Sequence, residues 1–305
     1  MSHSLSLRVE RQEKDQLTCW RIGTAQAELL VAEQGAQVLS YQRRGEQPLI
    51  WLSEQAEFKR GQSLRGGAPL CWPWFGDLKR SPQSVQAMHR DPAAGPFHGL
   101  VRNLPWQLQD IAAADHAITL VFGLTHSPEG LPDWPHQVTP SLAIRLDEKR
   151  LTLTLASRND GDQPVALSQA LHTYFAVSDI HQVEIPELAG CRYIDTLQDW
   201  SERTQDGALT FTGETDRIYL GTPELIRLRD PRWQRQICLQ AHDSCSAIVW
   251  NPWIDKGKRL SQFADDAWQR MLCIETANVL DDIVELAPGA QANLGVSLWT
   301  EPLQA

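Results

Sequence analysis

The amino-acid sequence predicts an all-β fold, a large antiparallel β-sandwich, on two observations. The run RLTLTLASRN places Leu151, Leu153 and Leu155 on one face and Thr152 and Thr154 on the other, which is the period of two of a half-buried strand. No segment of the sequence keeps the period of an amphipathic helix over three turns. We therefore expect strands over most of the chain, with functional residues on the loops between them.

Strand-like runs recur along the whole chain. The run AELLVAEQGAQVLSYQ spans residues 27–42, HAITLVFGLT spans residues 116–125 and ANLGVSLWT spans residues 292–300. Turn signals such as Arg-Gly-Glu, Asp-Gly-Asp and Pro-Gly separate the runs. A series of strands divided by turns over nearly the whole length is typical of a sandwich.

The chain of 305 residues is long enough for one large domain or for two ordinary ones. Stretches rich in Gly, Pro and Ser at residues 81–97 and 127–140 are the candidate boundaries, yet both lie inside the series of strands. We therefore predict a single domain over residues 1–305.

Composition and charge restrict the partners. The formal net charge of −10 disfavours nucleic acid and anionic membranes as partners, although it permits a local basic pocket. No apolar run approaches the ~20 residues of a membrane span. The N-terminal segment MSHSLSLRVERQEKDQ carries charges where a signal peptide needs an apolar stretch, so we expect a cytoplasmic protein.

The cysteines and histidines form no metal-binding motif. No CxxC, HxH or HxxxH pair occurs, so the sequence predicts no metal site. In the cytoplasm we expect the thiols to be free and to behave as small buried apolar groups. The six cysteines are Cys19, Cys71, Cys191, Cys238, Cys245 and Cys273.

The stretch SLRGGAPLCWPWFGD, residues 63–77, contains a Gly-Gly pair and two prolines. Neither a helix nor a central strand accommodates this pattern, so the sequence predicts an ordered loop. Trp72, Trp74 and Phe75 then either pack beneath the loop or form the wall of a binding site.

Four groups of polar residues stand out. Arg65 belongs to the Gly-Gly loop, and an extended backbone in PFHGLVRNLPW would turn His98 and Arg102 toward one face. His172 and Glu275 interrupt the apolar runs SQALHTYFAVSD and MLCIETANV. Taken alone, a strand glutamate more often faces solvent, because burying an unpaired carboxylate is costly, and a lone histidine more often packs in the core.

Three chemistries compete for these residues. A serine hydrolase needs a GxSxG nucleophile elbow, which is missing, and metal chemistry lacks its ligand spacing. The remaining chemistry is proton transfer, without a cofactor, by a carboxylate and one or two imidazoles that converge on a polar ligand.

Several of these segments resemble one enzyme superfamily. RGGAPLCWPWFGD, HGLVRNLPW, ALHTYF, YIDTL and NPWIDKGKRLSQFADDAWQRMLCIETANV look like segments of the aldose 1-epimerase, or galactose mutarotase-like, superfamily. They are most similar to its glucose-6-phosphate 1-epimerase (hexose-6-phosphate mutarotase) branch, and the resemblance covers about residues 25–300 in the same order. It implies a galactose mutarotase-like β-sandwich and the interconversion of α and β anomers of a hexose 6-phosphate.

The resemblance also implies roles for single residues. Glu275 matches the family base, which takes the proton of the C1 hydroxyl, and His172 matches the family acid, which protonates the ring oxygen O5. His98 matches a second histidine that hydrogen-bonds the sugar, and Asp195 of YIDTL matches an aspartate that accepts hydrogen bonds from ring hydroxyls. No metal, nucleotide or other cofactor is required.

Arg65 and Arg102 match basic residues of the cleft, and a guanidinium suits a phosphate because its planar fork donates two charge-assisted hydrogen bonds. The expected partner is a sugar phosphate alone, and we expect a monomer. Two alternatives remain open: a mutarotase for neutral aldohexoses, and a sugar-binding protein without catalysis. Retention of both an acid and a base favours catalysis over binding.

Overall fold

The computed structural model describes residues 7–114, 117–125, 131 and 134–303, and most of its elements are strands. The short helices are α1 (Gln83–Gln86) and α2 (Trp253–Gly257). The strands, in chain order, are β1 (Arg8–Lys14), β2 (Leu17–Gly23), β3 (Ala27–Ala32), β4 (Val38–Arg43), β5 (Leu70–Cys71), β6 (Trp106–Ala114), β7 (Ala117–Leu124), β8 (Val138–Leu146), β9 (Leu151–Asn159), β10 (Val165–Leu167), β11 (Gln169–Leu171), β12 (Tyr174–Ala176), β13 (Arg192–Asp195), β14 (Ser201–Thr204), β15 (Thr215–Leu220), β16 (Leu225–Asp230), β17 (Arg235–His242), β18 (Ser246–Asn251), β19 (Met271–Asn278), β20 (Val284–Leu286) and β21 (Gln291–Pro302).

The strands form three large sheets and one ribbon. One sheet has the order β1-β2-β3-β4, the second the order β16-β17-β21-β9-β8-β7-β6, and the third the order β14-β13-β15-β18-β19-β11-β5, with β12 also paired to β19. Strands β10 and β20 form the ribbon. Within the described part of the chain, every pairing between these strands is antiparallel, which confirms the predicted fold class.

The core lies between the sheets. Strands β11 and β19 of the third sheet contact β21 of the second sheet. One cluster of buried side chains draws on all three large sheets, with Leu29 from the first, Leu153 from the second and Ile274 from the third. Burial of apolar surface between these layers is the main force that holds the sheets together.

The strand predictions are confirmed where the structure describes them. In β9 the three leucines are buried and the threonines between them are half-buried. The run at residues 27–42 forms β3 and β4, because the chain turns at Gly35 and Ala36 with positive φ angles of 72° and 46°. Residues 292–300 lie within β21. His116, residues 1–6 and most of residues 127–133 lie outside the described residues.

A chain of buried hydrogen bonds links the Trp-rich loop to two sheets. The Trp72 indole N–H donates to Ser157 Oγ at 3.0 Å, and Ser157 Oγ donates to Gln169 Oε1 at 3.1 Å. Gln169 Nε2 then donates to Asn278 Oδ1 at 3.0 Å. These bonds join the loop to β9, β11 and β19, so the position of the loop depends on the register of both sheets.

All six thiols are free, as predicted, but two of them are not buried. Cys191 is half-buried and Cys245 is exposed, because both lie at turns between strands rather than inside a sheet. No helix in the described ranges has the length and apolar character that a membrane span requires.

We expect Ser157→Ala to lower the free energy of unfolding by about 1–3 kcal/mol, because the Trp72 N–H and the Gln169 carbonyl both lose their partner in the core. Urea denaturation of wild type and variant measures the change. Thr154→Ala, on the opposite face of the same strand, is the control and should cost less than about 1 kcal/mol. Equal losses in the two variants would show that the buried hydrogen bonds do not contribute as expected.

Candidate active site

A cavity of about 840 Å³ opens over one face of the third sheet. Side chains of β15, β18 and β19 form its floor, and the loops around residues 62–82 and 97–102 form one side. The structure thus brings together five residues that lie far apart in the sequence. All the sequence-predicted site residues except Asp195 line this cavity, namely Arg65, His98, Arg102, His172 and Glu275.

Glu275 lies in the middle of β19, which is flanked by β18 on one side and by β11 and β12 on the other. Its side chain is 2% exposed, so Glu275 does not face solvent as an isolated strand glutamate usually does. Among the described residues, its Oε2 atom has no hydrogen-bond partner. Burial raises the pKa of Glu275 well above the ordinary value, and the nearby Asp216 carboxylate raises it further.

His172 lies between β11 and β12 rather than inside a strand, and its backbone N–H donates to the Pro69 carbonyl at 2.9 Å. Its ring stacks on Tyr174 with 5.0 Å between ring centroids and 7° between planes. This packing places His172 Nε2 3.4 Å from Glu275 Oε1. Burial lowers the pKa of His172 to about 3, and the positive charge of Arg102 contributes.

The two opposite pKa shifts determine how many protons the pair holds. Burial favours the neutral form of each group, which is the protonated carboxyl of Glu275 and the unprotonated ring of His172. A carboxylate beside an imidazolium holds the same single proton and differs only in which residue carries it. The pair can therefore take a proton from one atom of a bound molecule and give a proton to another, with no net change in its own proton count.

His98 and Arg102 reach the cavity from a turn and not from the extended segment considered above. His98 has a φ of 67° and Gly99 a φ of 78°, so neither is extended. A Cβ on Gly99 would lie 2.1 Å from the carbonyl oxygen of Trp72, so only glycine allows the two backbones to approach this closely.

The same turn fixes the tautomer of His98. The Gly76 N–H donates to His98 Nδ1 at 3.2 Å, and the His98 N–H donates to the Gly76 carbonyl at 2.9 Å. Because a backbone N–H can only donate, Nδ1 is an acceptor and the proton of the neutral ring lies on Nε2. Burial lowers the pKa of His98 well below the ordinary value and so keeps the ring neutral. His98 therefore offers an N–H donor to a ligand.

The Gly-Gly loop carries Arg65 to the edge of the cavity. Gly66 and Gly67 have φ angles of 104° and 73°, and a Cβ on Gly67 would lie 2.3 Å from the Val38 carbonyl oxygen. The Arg65 guanidinium donates to Tyr174 Oη at 3.4 Å and to the Ser261 carbonyl at 3.3 Å. Bonds to neutral acceptors hold the side chain in place without neutralising its charge.

Both predicted roles of the aromatic residues in this loop occur. Trp72 and Trp74 are fully buried beneath the loop, whereas Phe75 lines the cavity. The two tryptophans differ from Phe75 because their indole N–H groups find acceptors inside the protein, Ser157 Oγ for Trp72 and the Pro96 carbonyl for Trp74.

The cavity has a local positive charge on a chain whose formal net charge is −10. Arg65 and Arg102 form no ion pair within the described ranges, so their charges face the cavity without compensation. Two further cations line the wall. Lys256 is compensated by Glu214 at 3.2 Å and by Asp216 at 3.7 Å, whereas Arg80 lies over the Trp200 ring and has no ion pair among the described residues. The cavity therefore suits an anionic ligand better than the acidic surface of the rest of the protein does.

Asp195 lies beside the cavity rather than in its wall. Its neighbours Thr196 and Leu197 line the cavity, while Asp195 is buried and its Oδ1 accepts from the Leu197 N–H at 3.2 Å. Its role with ring hydroxyls stays a prediction. The aspartate nearest to it that does line the wall is Asp216 of the neighbouring strand β15. The sequence did contain a signal for Asp216. In TDRIYL it shares one strand face with Ile218, so it is a polar residue on an apolar face, as Glu275 is.

The described residues also contain one group of side chains able to hold a metal ion. Ligand atoms of His172, Cys273 and Glu275 all lie within 4.8 Å of one another. Sequence spacing could not indicate this group, because His172 comes from a different segment than the other two.

Comparison with known proteins shows which family the chain resembles. The model of the aldose 1-epimerase family matches residues 18–299. An Escherichia coli K12 protein provisionally named glucose-6-phosphate 1-epimerase is 34% identical over 270 residues, which is 88% of this chain and 86% of the relative. A Cenchrus ciliaris protein with the same provisional name is 31% identical over 277 residues, which is 88% of this chain and 80% of the relative.

Solved structures agree with the sequence relatives. The crystal structure of a provisionally assigned mutarotase, YeaD of Salmonella typhimurium, superposes with a TM-score of 0.85 at 30% identity and covers 96% of this chain and 94% of that one. A galactose mutarotase-like protein of Clostridium acetobutylicum shares the fold at 14% identity, with a TM-score of 0.75 and coverage of 97% and 99%. The resemblance seen in the sequence is confirmed, and the chain belongs to the aldose 1-epimerase family.

Proposed function

We propose that this epimerase-family enzyme interconverts the α and β anomers of a hexose 6-phosphate, with glucose 6-phosphate as the first substrate to test. The observation that carries the proposal is the buried pair of Glu275 and His172, 3.4 Å apart on the wall of a cavity that the uncompensated Arg65 and Arg102 also line. The names of the curated relatives, which refer to glucose 6-phosphate, support the same substrate.

In the proposed mechanism the pair opens and closes the sugar ring. Glu275 takes the proton of the C1 hydroxyl while His172 gives a proton to the ring oxygen O5, and the C1–O5 bond breaks. The open-chain aldehyde rotates about the C1–C2 bond, and closure with the roles reversed gives the other anomer. The reaction starts from the charged form of the pair, which arises when the proton moves from Glu275 to His172. Ring opening then returns the pair to the neutral form that burial favours.

The remaining residues bind the substrate in this proposal. The Nε2–H of His98 donates a hydrogen bond to a sugar oxygen, and Asp216 in the wall accepts from the ring hydroxyls. For Asp195, which is buried beside the cavity, a contact with these hydroxyls stays the prediction made from the sequence. Arg65 and Arg102 hold the phosphate with charge-assisted hydrogen bonds. A neutral sugar would not use these two charges, so they favour the hexose phosphate over a free aldohexose.

The proposal also covers the location, the partners and the oligomeric state of the enzyme. Six free thiols favour a reducing compartment, which supports a cytoplasmic location. The net charge of −10 gives no reason to expect nucleic acid or an anionic membrane as a partner. We propose that a monomer suffices for the reaction, because the cavity and the residues assigned to the reaction are complete within a single chain.

Glu275→Gln should lower turnover by at least ~10²-fold, because the amide keeps the size of the side chain but cannot take a proton. His172→Asn should have a similar effect for the acid. Anomer-exchange NMR on glucose 6-phosphate with catalytic amounts of protein measures the rate and also tests the proposed activity. Glu285→Gln, on the exposed side of β20, is the control. Near-normal exchange in either site variant would show that the mechanism is wrong.

The pH profile should lack the limb of an ordinary histidine near pH ~6.5. The pair holds its one active proton until a second proton binds His172, and the pKa of that group is lowered to about 3. It loses the active proton only above the ordinary glutamate value, because the pKa of Glu275 is raised. We therefore expect the acid limb of kcat/KM to lie well below the ordinary histidine pKa of ~6.5. The basic limb should lie well above the ordinary glutamate pKa of ~4.3.

The substrate phosphate itself titrates near pH ~6, so the profile is recorded with glucose as well as glucose 6-phosphate. A limb near that value with the phosphate ester alone belongs to the substrate. A limb near pH ~6.5 with both sugars would contradict the lowered pKa of His172.

Arg65→Ala or Arg102→Ala should raise KM for glucose 6-phosphate by roughly ten- to a hundred-fold, because each guanidinium contributes about 1.5–3 kcal/mol of charge-assisted hydrogen bonding. The measurement is the ratio of kcat/KM for glucose 6-phosphate to that for glucose. Arg145→Ala, which changes an exposed arginine of β8, should leave this ratio unchanged. If neither site variant lowers the ratio, the two arginines do not bind the phosphate.

A further inference from the structure

Cys273 brings a third ligand to the catalytic pair. It lies two residues before Glu275 on β19, so both side chains project from the same face of the strand. Cys273 is fully buried, and burial raises the pKa of its thiol well above the ordinary value. Its Sγ, a carboxylate oxygen of Glu275 and a ring nitrogen of His172 lie within 4.8 Å of one another.

The separation of these atoms is close to that of a zinc site. Tetrahedral zinc, with bonds of about 2.0–2.3 Å, holds its ligand atoms about 3.4–3.6 Å apart. The 3.4 Å between His172 Nε2 and Glu275 Oε1 already meets this distance. The sulfur has to approach by about one ångström at most, which rotation of the Cys273 and Glu275 side chains can supply.

The ligand types select zinc over the hard cations. A thiolate and an imidazole favour zinc, whereas Mg²⁺ and Ca²⁺ prefer oxygen ligands throughout. The thiolate and the carboxylate together balance the two charges of Zn²⁺, which limits the cost of placing the ion in a buried position. Glu275 and His172 both line the cavity, so an ion can enter from there and keep its fourth position open.

The surroundings favour reversible binding over a resident metal. A zinc-ligating histidine normally donates its second ring N–H to an acceptor, but His172 Nδ1 has no hydrogen-bond partner among the described residues. The positive charges of Arg65 and Arg102 also oppose a cation at this place, as their effect on His172 shows. Both features weaken the site without removing its ligands.

We propose that His172, Cys273 and Glu275 form an inhibitory Zn²⁺ site. Binding releases the thiol proton and the single proton of the Glu275–His172 pair, and the freed sulfur, oxygen and nitrogen lone pairs coordinate the ion. The acid and the base are then both occupied, so ring opening stops. Zinc binding itself does not depend on the proposed function, whereas the inhibition of anomer exchange rests on it.

Cobalt provides a test that needs no activity. The parent is Cys191→Ser/Cys245→Ser, which removes the two thiols that are not buried. We expect Co²⁺ to give this protein a thiolate-to-metal charge-transfer band in the near ultraviolet, and Zn²⁺ to displace it. Adding Cys273→Ser should abolish the band and raise the zinc concentration for half-inhibition of anomer exchange by at least ~10-fold.

The matched control is Cys19→Ser in the same parent, because Cys19 is an equally buried strand cysteine outside the cavity. It should keep the band and the zinc sensitivity of the parent, and circular dichroism checks that both serine variants fold. A band that persists in the Cys273→Ser protein, or an unchanged half-inhibition concentration, would overturn the proposal. So would the absence of a band in a folded parent.

The two proposals can fail separately. A cobalt band in a protein without anomer exchange would support the metal site and refute the proposed function. Anomer exchange in a folded parent that shows neither band nor zinc inhibition would support the function and refute the metal site. Chelators should restore zinc-inhibited enzyme to the rate of the untreated enzyme, and failure to do so would show that the inhibition is not reversible metal binding.

Discussion

The burial of one carboxylate beside one imidazole is the constraint on which the rest of the site depends. Glu275 and His172 are almost completely shielded from solvent, and neither could carry a charge there at low cost without the other. The low-polarity surroundings raise one pKa and lower the other, so the pair retains a single proton over a wide pH range. A site built in this way can move protons between two oxygens of a ligand without exchanging protons with water.

Close backbone contacts fix the loop that packs the His98 ring against His172. Gly99 lies against the backbone of Trp72, and Gly76 holds His98 by two hydrogen bonds. Trp72 is in turn anchored to Ser157 in the facing sheet. These contacts tie the loops to the core and so provide the fixed geometry that acid–base catalysis needs.

The cavity differs in charge from the rest of the protein surface. The chain is strongly acidic, yet Arg65 and Arg102 face the cavity without carboxylate partners in the described part of the chain. A positive pocket in a negative protein attracts small anions while the surface as a whole repels polyanions and anionic membranes. The same two charges depress the pKa of His172 and oppose cations at the pair, so one arrangement serves substrate preference and limits metal affinity.

The sequence by itself was enough to predict the fold class. It also led to six candidate site residues, five of which line the cavity. Period-two patterns such as Leu151, Leu153 and Leu155 report the buried face directly, and polar residues such as Glu275 stand out because they interrupt such patterns. Only the tertiary structure decided that Asp216 rather than Asp195 lies in the wall and that Cys273 meets His172. Strand order, register and loop turns bring distant segments together, and no local pattern encodes these long-range contacts.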